Sequence, residues 1–156
     1  MAHGGLSGPA LAAARNAKLL QDRAARMRNL QPPAVATAKS VNTMIATAYA
    51  TKREPFGKAW PRLKYRREPP PTLQSKSNTA KNSAKCTASR GDLRFFAVDY
   101  LFHHMSDPQS ARRTFPKRNP TPLEYVTGKG FVFKRQVRDA HAKRVRQWIA
   151  TGRVTA

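Results

Sequence analysis

The sequence predicts a mixed α+β chain with a thin core: two N-terminal helices, short strands in the second half and a C-terminal helix. Three observations predict it. Apolar residues recur at helical spacing up to about residue 51 and again from about 134. Between these stretches, Phe95, Phe96, Val98 and Tyr100 crowd into a short aromatic and β-branched run. The connecting segments are long, rich in proline and strongly basic.

Residues 1–8 read as a flexible lead-in, and 9–156 as a single domain. Pro9 suits a first helical position, and Leu11, Leu19, Leu20, Met27 and Leu30 mark an apolar stripe over 9–30. Arg15, Arg23, Arg26 and Arg28 lie mostly off that stripe. The Ala- and Arg-rich composition also describes a mitochondrial transit peptide, but an ordinary helix is the preferred reading. Pro32-Pro33 ends the first helix. A second helix is expected over 33–51, where Val41, Met44, Ile45, Ala48 and Tyr49 follow the helical spacing. The two helices are candidates for a hairpin. Prolines and Gly57 break helix over 52–71, leaving a loop pinned by Phe56, Trp60, Leu63 and Tyr65. Residues 72–90 are small, polar and basic, and read as a mobile loop or arm, at most a ragged hairpin. A strand is expected over 92–102, and a shorter one at Val126 or Phe131-Val132-Phe133, interrupted by Gly128 and Gly130. The last helix spans about 134–150, with Val137, Arg138, His141, Val145, Trp148 and Ile149 on its partly apolar face.

Composition narrows the function classes. Leu, Ile, Val and Phe make only 27 of 156 residues, while 24 are Ala, which buries little area. With a formal net charge of +22, such a chain sits near the disordered boundary and gains stability from a partner. That charge implies a polyanionic neighbour, either nucleic acid or an acidic protein surface. No apolar run spans a membrane, and one cysteine, Cys86, excludes a disulfide framework.

Catalytic, metal and cofactor signatures are not found. Gly128-Lys129-Gly130 is too short to cradle a phosphate. His103 and His104 are adjacent, so on a strand end they point to opposite faces and do not converge on one metal. His141 has no acidic or histidine neighbour one turn on, and Cys86 reads as an incidental reduced thiol. No small-molecule substrate is expected.

Two basic stretches remain as candidate polyanion contacts. Lys58, Arg62, Lys64, Arg66 and Arg67 surround the aromatic loop, and Lys143, Arg144 and Arg146 sit near the end of the last helix. Cations in a final helical turn also favour the helix dipole by about 0.3–1 kcal/mol, a purely structural benefit. Trp60 and Tyr65 between cations suit stacking on single-stranded nucleic acid. Plugging the loop into the core is the preferred reading for Trp60 and Phe56, with Tyr65 left open.

One ordered set of short motifs stands out. Glu54-Pro55-Phe56-Gly57-Lys58-Ala59-Trp60-Pro61-Arg62-Leu63-Lys64 resembles a Pro-x-Gly-x-x-Trp-x-x-Leu block that follows two helices in the virion morphogenesis proteins of tailed bacteriophages, the tail-completion or tail-terminator group. Tyr100-Leu101-Phe102-His103-His104 resembles that family's Tyr-x-x-x-His strand end, and Phe115-Pro116-Lys117-Arg118-Asn119-Pro120 its Pro-x-Arg segment before a last helix. The order of all three agrees, over about residues 15–150. Met105-Ser106-Asp107 departs from the small residue and glycine usual after the histidine.

The resemblance implies an α+β fold, with a small antiparallel sheet flanked by the helices, and no enzyme activity. It implies a virion protein assembled in the bacterial cytoplasm. There it forms a homo-oligomeric ring, usually hexameric, that caps the tail tube and joins the head–tail connector near packaged DNA. On that reading Pro55, Gly57, Trp60 and Leu63 anchor the loop, and Tyr100, His103, His104, Pro116 and Arg118 are candidate interface residues. The main alternative is a basic RNA-binding protein, such as a ribosomal component, of an organelle or otherwise. A DNA-packaging protein ranks third, because Pro32-Pro33 fills the turn a helix-turn-helix would need.

Overall fold

The computed structural model describes residues 8–60, 79–98, 101–102 and 119–155. The fold is mixed α+β. Helices α1 (Gly8–Arg28) and α2 (Gln31–Thr51) come first. A short helix α3 (Thr79–Ser83) leads into strands β1 (Lys85–Ser89) and β2 (Asp92–Phe96). Strands β3 (Leu123–Val126) and β4 (Gly130–Phe133) precede the last helix, α4 (Arg135–Thr151).

Helix α2 is the centre of the molecule. Pro32 and Pro33 occupy its first turn, where the missing N–H groups have no intrahelical partner to lose. Its buried residues, among them Ala34, Thr37, Ala38, Val41, Ile45, Ala48 and Tyr49, recur every three or four positions. One side packs on the β1–β2 hairpin and another on α4. Small side chains let these elements approach closely, and the core is completed by Trp60, Cys86, Leu101, Leu123 and Val137.

Among the described residues, the strands form two separate antiparallel hairpins, β1–β2 and β3–β4. In the first, Cys86 opposes Phe95 and Ser89 opposes Asp92. Arg90 (φ 52°) and Gly91 (φ 88°) make its two-residue turn, and consecutive positive φ values match the twist of the flanking strands. The outer edge of β1 is closed by side chains of α2. Asn42 Nδ2 donates to the Cys86 carbonyl at 2.9 Å, and the Cys86 N–H donates to Asn42 Oδ1 at 2.7 Å. Three helical turns earlier, Gln31 Nε2 donates to the Ala88 carbonyl at 3.2 Å and Gln31 Oε1 accepts from the Gly91 N–H at 3.0 Å. Two amides thus stand in for a third strand.

Several expectations are corrected. Residues 79–89, expected within a mobile arm, form α3 and β1, because Ala80, Ala84 and Cys86 are small enough to lie flat beneath α2. The strand expected to reach residue 102 ends at Phe96, and Leu101 and Phe102 are helical. Gly128 and Gly130 do not interrupt a strand: Gly128 lies in the turn joining two, and Gly130 opens the second. Phe56, expected to plug the core, is half-exposed with φ 60°. Finally, α1 contributes no buried residue: of the apolar stripe, Leu11, Leu19, Leu20 and Met27 are exposed, and Leu30, beyond the end of the helix, is half-buried.

What holds α1 is its C-terminal end. Arg26 donates to the carbonyls of Ile149 and Ala150 at 3.2 and 3.3 Å, satisfying groups left open at the end of α4. Trp148 Nε1 returns to the carbonyls of Arg26 and Asn29 at 3.2 and 2.8 Å.

Candidate assembly and polyanion surfaces

The loop after α2 is built by local hydrogen bonds. Lys52 closes the helix in a left-handed cap, its N–H donating to the Ala48 carbonyl. Glu54 N–H donates to the Lys58 carbonyl and Gly57 N–H to the Glu54 carbonyl, both at 3.0 Å. The chain returns when Trp60 N–H donates to the Lys52 carbonyl at 2.8 Å. Gly57 is demanded by close approach, because a Cβ there would lie 2.9 Å from Glu54 Cβ. Pro55 is buried, and its carbonyl accepts from Lys134 Nζ at 3.3 Å. Trp60 is 8% exposed and meets Tyr49 edge-on, with centroids 5.8 Å apart. Lys52 Nζ sits 5.7 Å above the indole. Pro55, Gly57 and Trp60 therefore form one turn anchored in the core. Leu63 lies outside the described residues.

The expected interface residues Tyr100, His103, His104, Pro116 and Arg118 also lie outside the described residues, but both flanks of those segments are anchored. Leu101 is fully buried, and Phe102 packs against Phe95 at 6.3 Å and Phe131 at 5.0 Å. After Arg118, Asn119 Nδ2 donates to the Leu123 carbonyl at 2.7 Å, and Asn119 Oδ1 accepts from the Thr121 N–H at 2.9 Å. Asn119 and Thr121 are buried polar residues that the sequence reading missed. The Asn-Pro-Thr-Pro string was the available signal, since Asn before proline favours a side-chain-closed turn.

The candidate cations divide by environment. Lys58, Lys143 and Arg146 are exposed. Arg144 is half-buried, its guanidinium donating to Ser40 Oγ at 2.7 Å and to the Thr155 carbonyl at 3.4 Å, so it straps α4 to α2. Arg62, Lys64, Arg66 and Arg67 lie outside the described residues. Arg138 meets Glu124 at 3.8 Å and Arg135 meets Asp139 at 3.4 Å. Both are exposed pairs, each worth about 0–1 kcal/mol.

Among the described residues, two titratable groups are perturbed by the packing. Burial pushes the Cys86 thiol up to about 11, so it stays protonated and unreactive at neutral pH. His141 Nδ1 lies 3.0 Å from Thr37 Oγ1, which itself donates to the Pro33 carbonyl at 2.9 Å. Which of the two groups donates in that contact is set by the ring tautomer. Burial, then the nearby Arg144 cation, lowers the His141 pKa from 6.5.

Among the described residues, no group of His, Cys, Asp and Glu is arranged to hold a metal ion, and no helix is long and apolar enough to cross a membrane. No family model, curated protein or solved structure is significantly similar to the chain.

Proposed function

We propose that the chain is a structural virion protein of a tailed-phage neck. It caps the tail tube and joins it to the head connector as a homo-oligomeric ring, and it carries no catalytic site. The observation that carries this reading is the Pro55–Trp60 turn. It stands where the family block stands, directly after two N-terminal helices, and its tryptophan ties the turn to the second of them. The order that follows, antiparallel hairpins and then a closing helix, supports the same assignment. So does the burial pattern. A 21-residue α1 with no buried residue belongs to a chain that completes its packing on neighbours. Exposed Lys58, Lys143 and Arg146 supply cations for an acidic partner or for packaged DNA.

The test is the mass of the nuclease-treated chain by light scattering after size exclusion, at low and high salt. A discrete ring-sized oligomer that persists at high salt is expected. A monomer that co-purifies with nucleic acid at low salt and releases it at high salt would replace this reading with an RNA-binding one.

A further inference from the structure

One edge of the β1–β2 hairpin carries unpaired backbone. Asn42 bonds both backbone groups of Cys86, and Gln31 bonds the Ala88 carbonyl, so the peptide groups of Cys86 and Ala88 point away from β2. Their cross-strand partners are Phe95 and Leu93. In an antiparallel ladder the two members of such a pair both point outward, so the peptide groups of Phe95 and Leu93 point away from β1. Four groups stand in a row on that side, the N–H and carbonyl of Leu93 and those of Phe95. Among the described residues none of the four has a hydrogen-bond partner. The edge of β1 is satisfied by two side-chain amides, whereas β2 has neither that cover nor a proline to blunt it.

The edge borders a cavity of about 250 Å³ between β2 and α4. Leu93, Phe133 and Val137 give the cavity an apolar lining, joined by Asp92, Arg138 and His141. Strand side chains alternate between faces. Leu93 and Phe95 are half-buried and turn to the core, while Arg94 and Phe96 are exposed on the outer face. A strand added to β2 would set alternate side chains beside Leu93, at the cavity, and the others beside Arg94. The inner positions call for apolar side chains.

Charge decides the outer positions. Arg94 is exposed and has no ion pair among the described residues, and exposed Lys85 lies diagonally across the hairpin from it. A carboxylate opposite Arg94 is favourable and a cation there is not. Asp92 is the one carboxylate on β2 and sits at its turn end, and Glu124 is engaged by Arg138 at 3.8 Å. At a net charge of +22 the whole chain also draws an acidic segment in preference to a basic one.

We infer that β2 is a docking edge for an extended acidic segment of another protein, which adds to the hairpin as a third strand. Leu93 and Phe95 supply the main-chain hydrogen bonds, the cavity takes an apolar side chain, and Arg94 takes an acidic one. The inference does not rest on the neck reading.

The test uses the full chain and a capped peptide of alternating Glu and Val, at about 0.15 M salt, where surface charges beyond about 8 Å are screened. Amide exchange by NMR reads the edge directly. In the free chain the Leu93 and Phe95 amides should exchange fast, and the peptide should slow both by at least about tenfold. Arg94, whose N–H faces β1, is the internal reference. Two other peptides should bind at least about tenfold more weakly: one of alternating Lys and Val, and the Glu–Val peptide with each Val replaced by Pro, which keeps the carboxylates and loses the N–H donors. Arg94→Glu should weaken binding of the Glu–Val peptide at least about tenfold, and Arg15→Glu on α1, the same change in net charge, less than about twofold. Both arginines are exposed, so thermal unfolding should be unchanged in both variants.

Slow exchange at Leu93 and Phe95 without peptide would overturn the inference, because the edge would already be covered. Protection independent of concentration would identify this chain itself as the cover, and protection that grows with concentration a second copy. No binding of the Glu–Val peptide, or binding that leaves both amides fast, would overturn it as well. Equal binding of the proline peptide, or equal effects of the two substitutions, would reduce the contact to charge alone and do the same. A chain that stays monomeric yet protects both amides when the peptide is added would keep this inference and sink the neck reading.

Discussion

Replacing Asn42 by Ala tests whether a helix side chain holds the first hairpin in place. The amide makes two hydrogen bonds to the backbone of Cys86, at 2.7 and 2.9 Å. Each such bond contributes about 0.5–1.5 kcal/mol net. Cys86 is 2% exposed, so its N–H and carbonyl would find little water once the amide is gone. Leaving a buried group unsatisfied costs about 1–3 kcal/mol. The expected loss is therefore about 2–3 kcal/mol, or about 5–10 °C in Tm for a domain of this size. Gln31→Ala removes an equivalent pair at 3.0 and 3.2 Å at the more exposed end of the strand, and should cost about 1 kcal/mol. Urea unfolding monitored by circular dichroism measures both. A loss below about 0.5 kcal/mol for Asn42→Ala would show that the edge of β1 is satisfied without it, and the account of how the hairpin docks would fail.

Trp60→Ala should cost about 3–5 kcal/mol in the same assay, because it removes the ring packed on Tyr49; near-wild-type stability would mean Trp60 is no anchor. Gly57→Ala forces a Cβ to 2.9 Å from Glu54 Cβ and should cost about 1–3 kcal/mol, with a neutral result showing that the turn relaxes freely. The pH dependence follows from His141, whose lowered pKa means that the unfolded chain takes up the extra proton first as pH falls through 6.5. Stability from the neutral ring is present above that pH and is lost below it, so His141→Gln should flatten the decline between about pH 7.5 and about pH 5; parallel wild-type and variant curves would show that His141 does not contribute. Reversing charge at exposed Lys143 and Arg146 should weaken binding to a polyanion such as heparin with Tm unchanged. Arg144→Ala should lower Tm by removing the strap to Ser40, and the opposite pattern would reassign the roles.

The anchored turn was legible because its constraints are local. Proline, glycine and tryptophan within Pro55–Trp60 specify a tight return with a large apolar end, and neighbouring hydrogen bonds build it. Phe56, in the same turn, is half-exposed instead of plugging the core. A positive φ of 60° turns that side chain outward, and local composition does not reveal which aromatic of a loop faces the core. Arg144 resembles Lys143 in sequence, and only Ser40 and Thr155, brought close by folding, separate a strap from a solvated cation.

By itself the sequence determined the two long helices before residue 52, the closing helix, the basic charge and the absence of a membrane-length apolar run, because periodicity, proline placement and composition act over a few residues. Tertiary structure decided the rest. β1 carries too little hydrophobicity to announce itself, and it is a strand because Asn42 and Gln31 supply partners from 44 and 57 residues away. α1 carries an apolar stripe that reads as a core face, yet α2 already spends its own faces on β1 and α4, so the stripe remains outside. Periodicity states which face of a helix is apolar; what that face meets depends on the surfaces that are left when the other elements have packed.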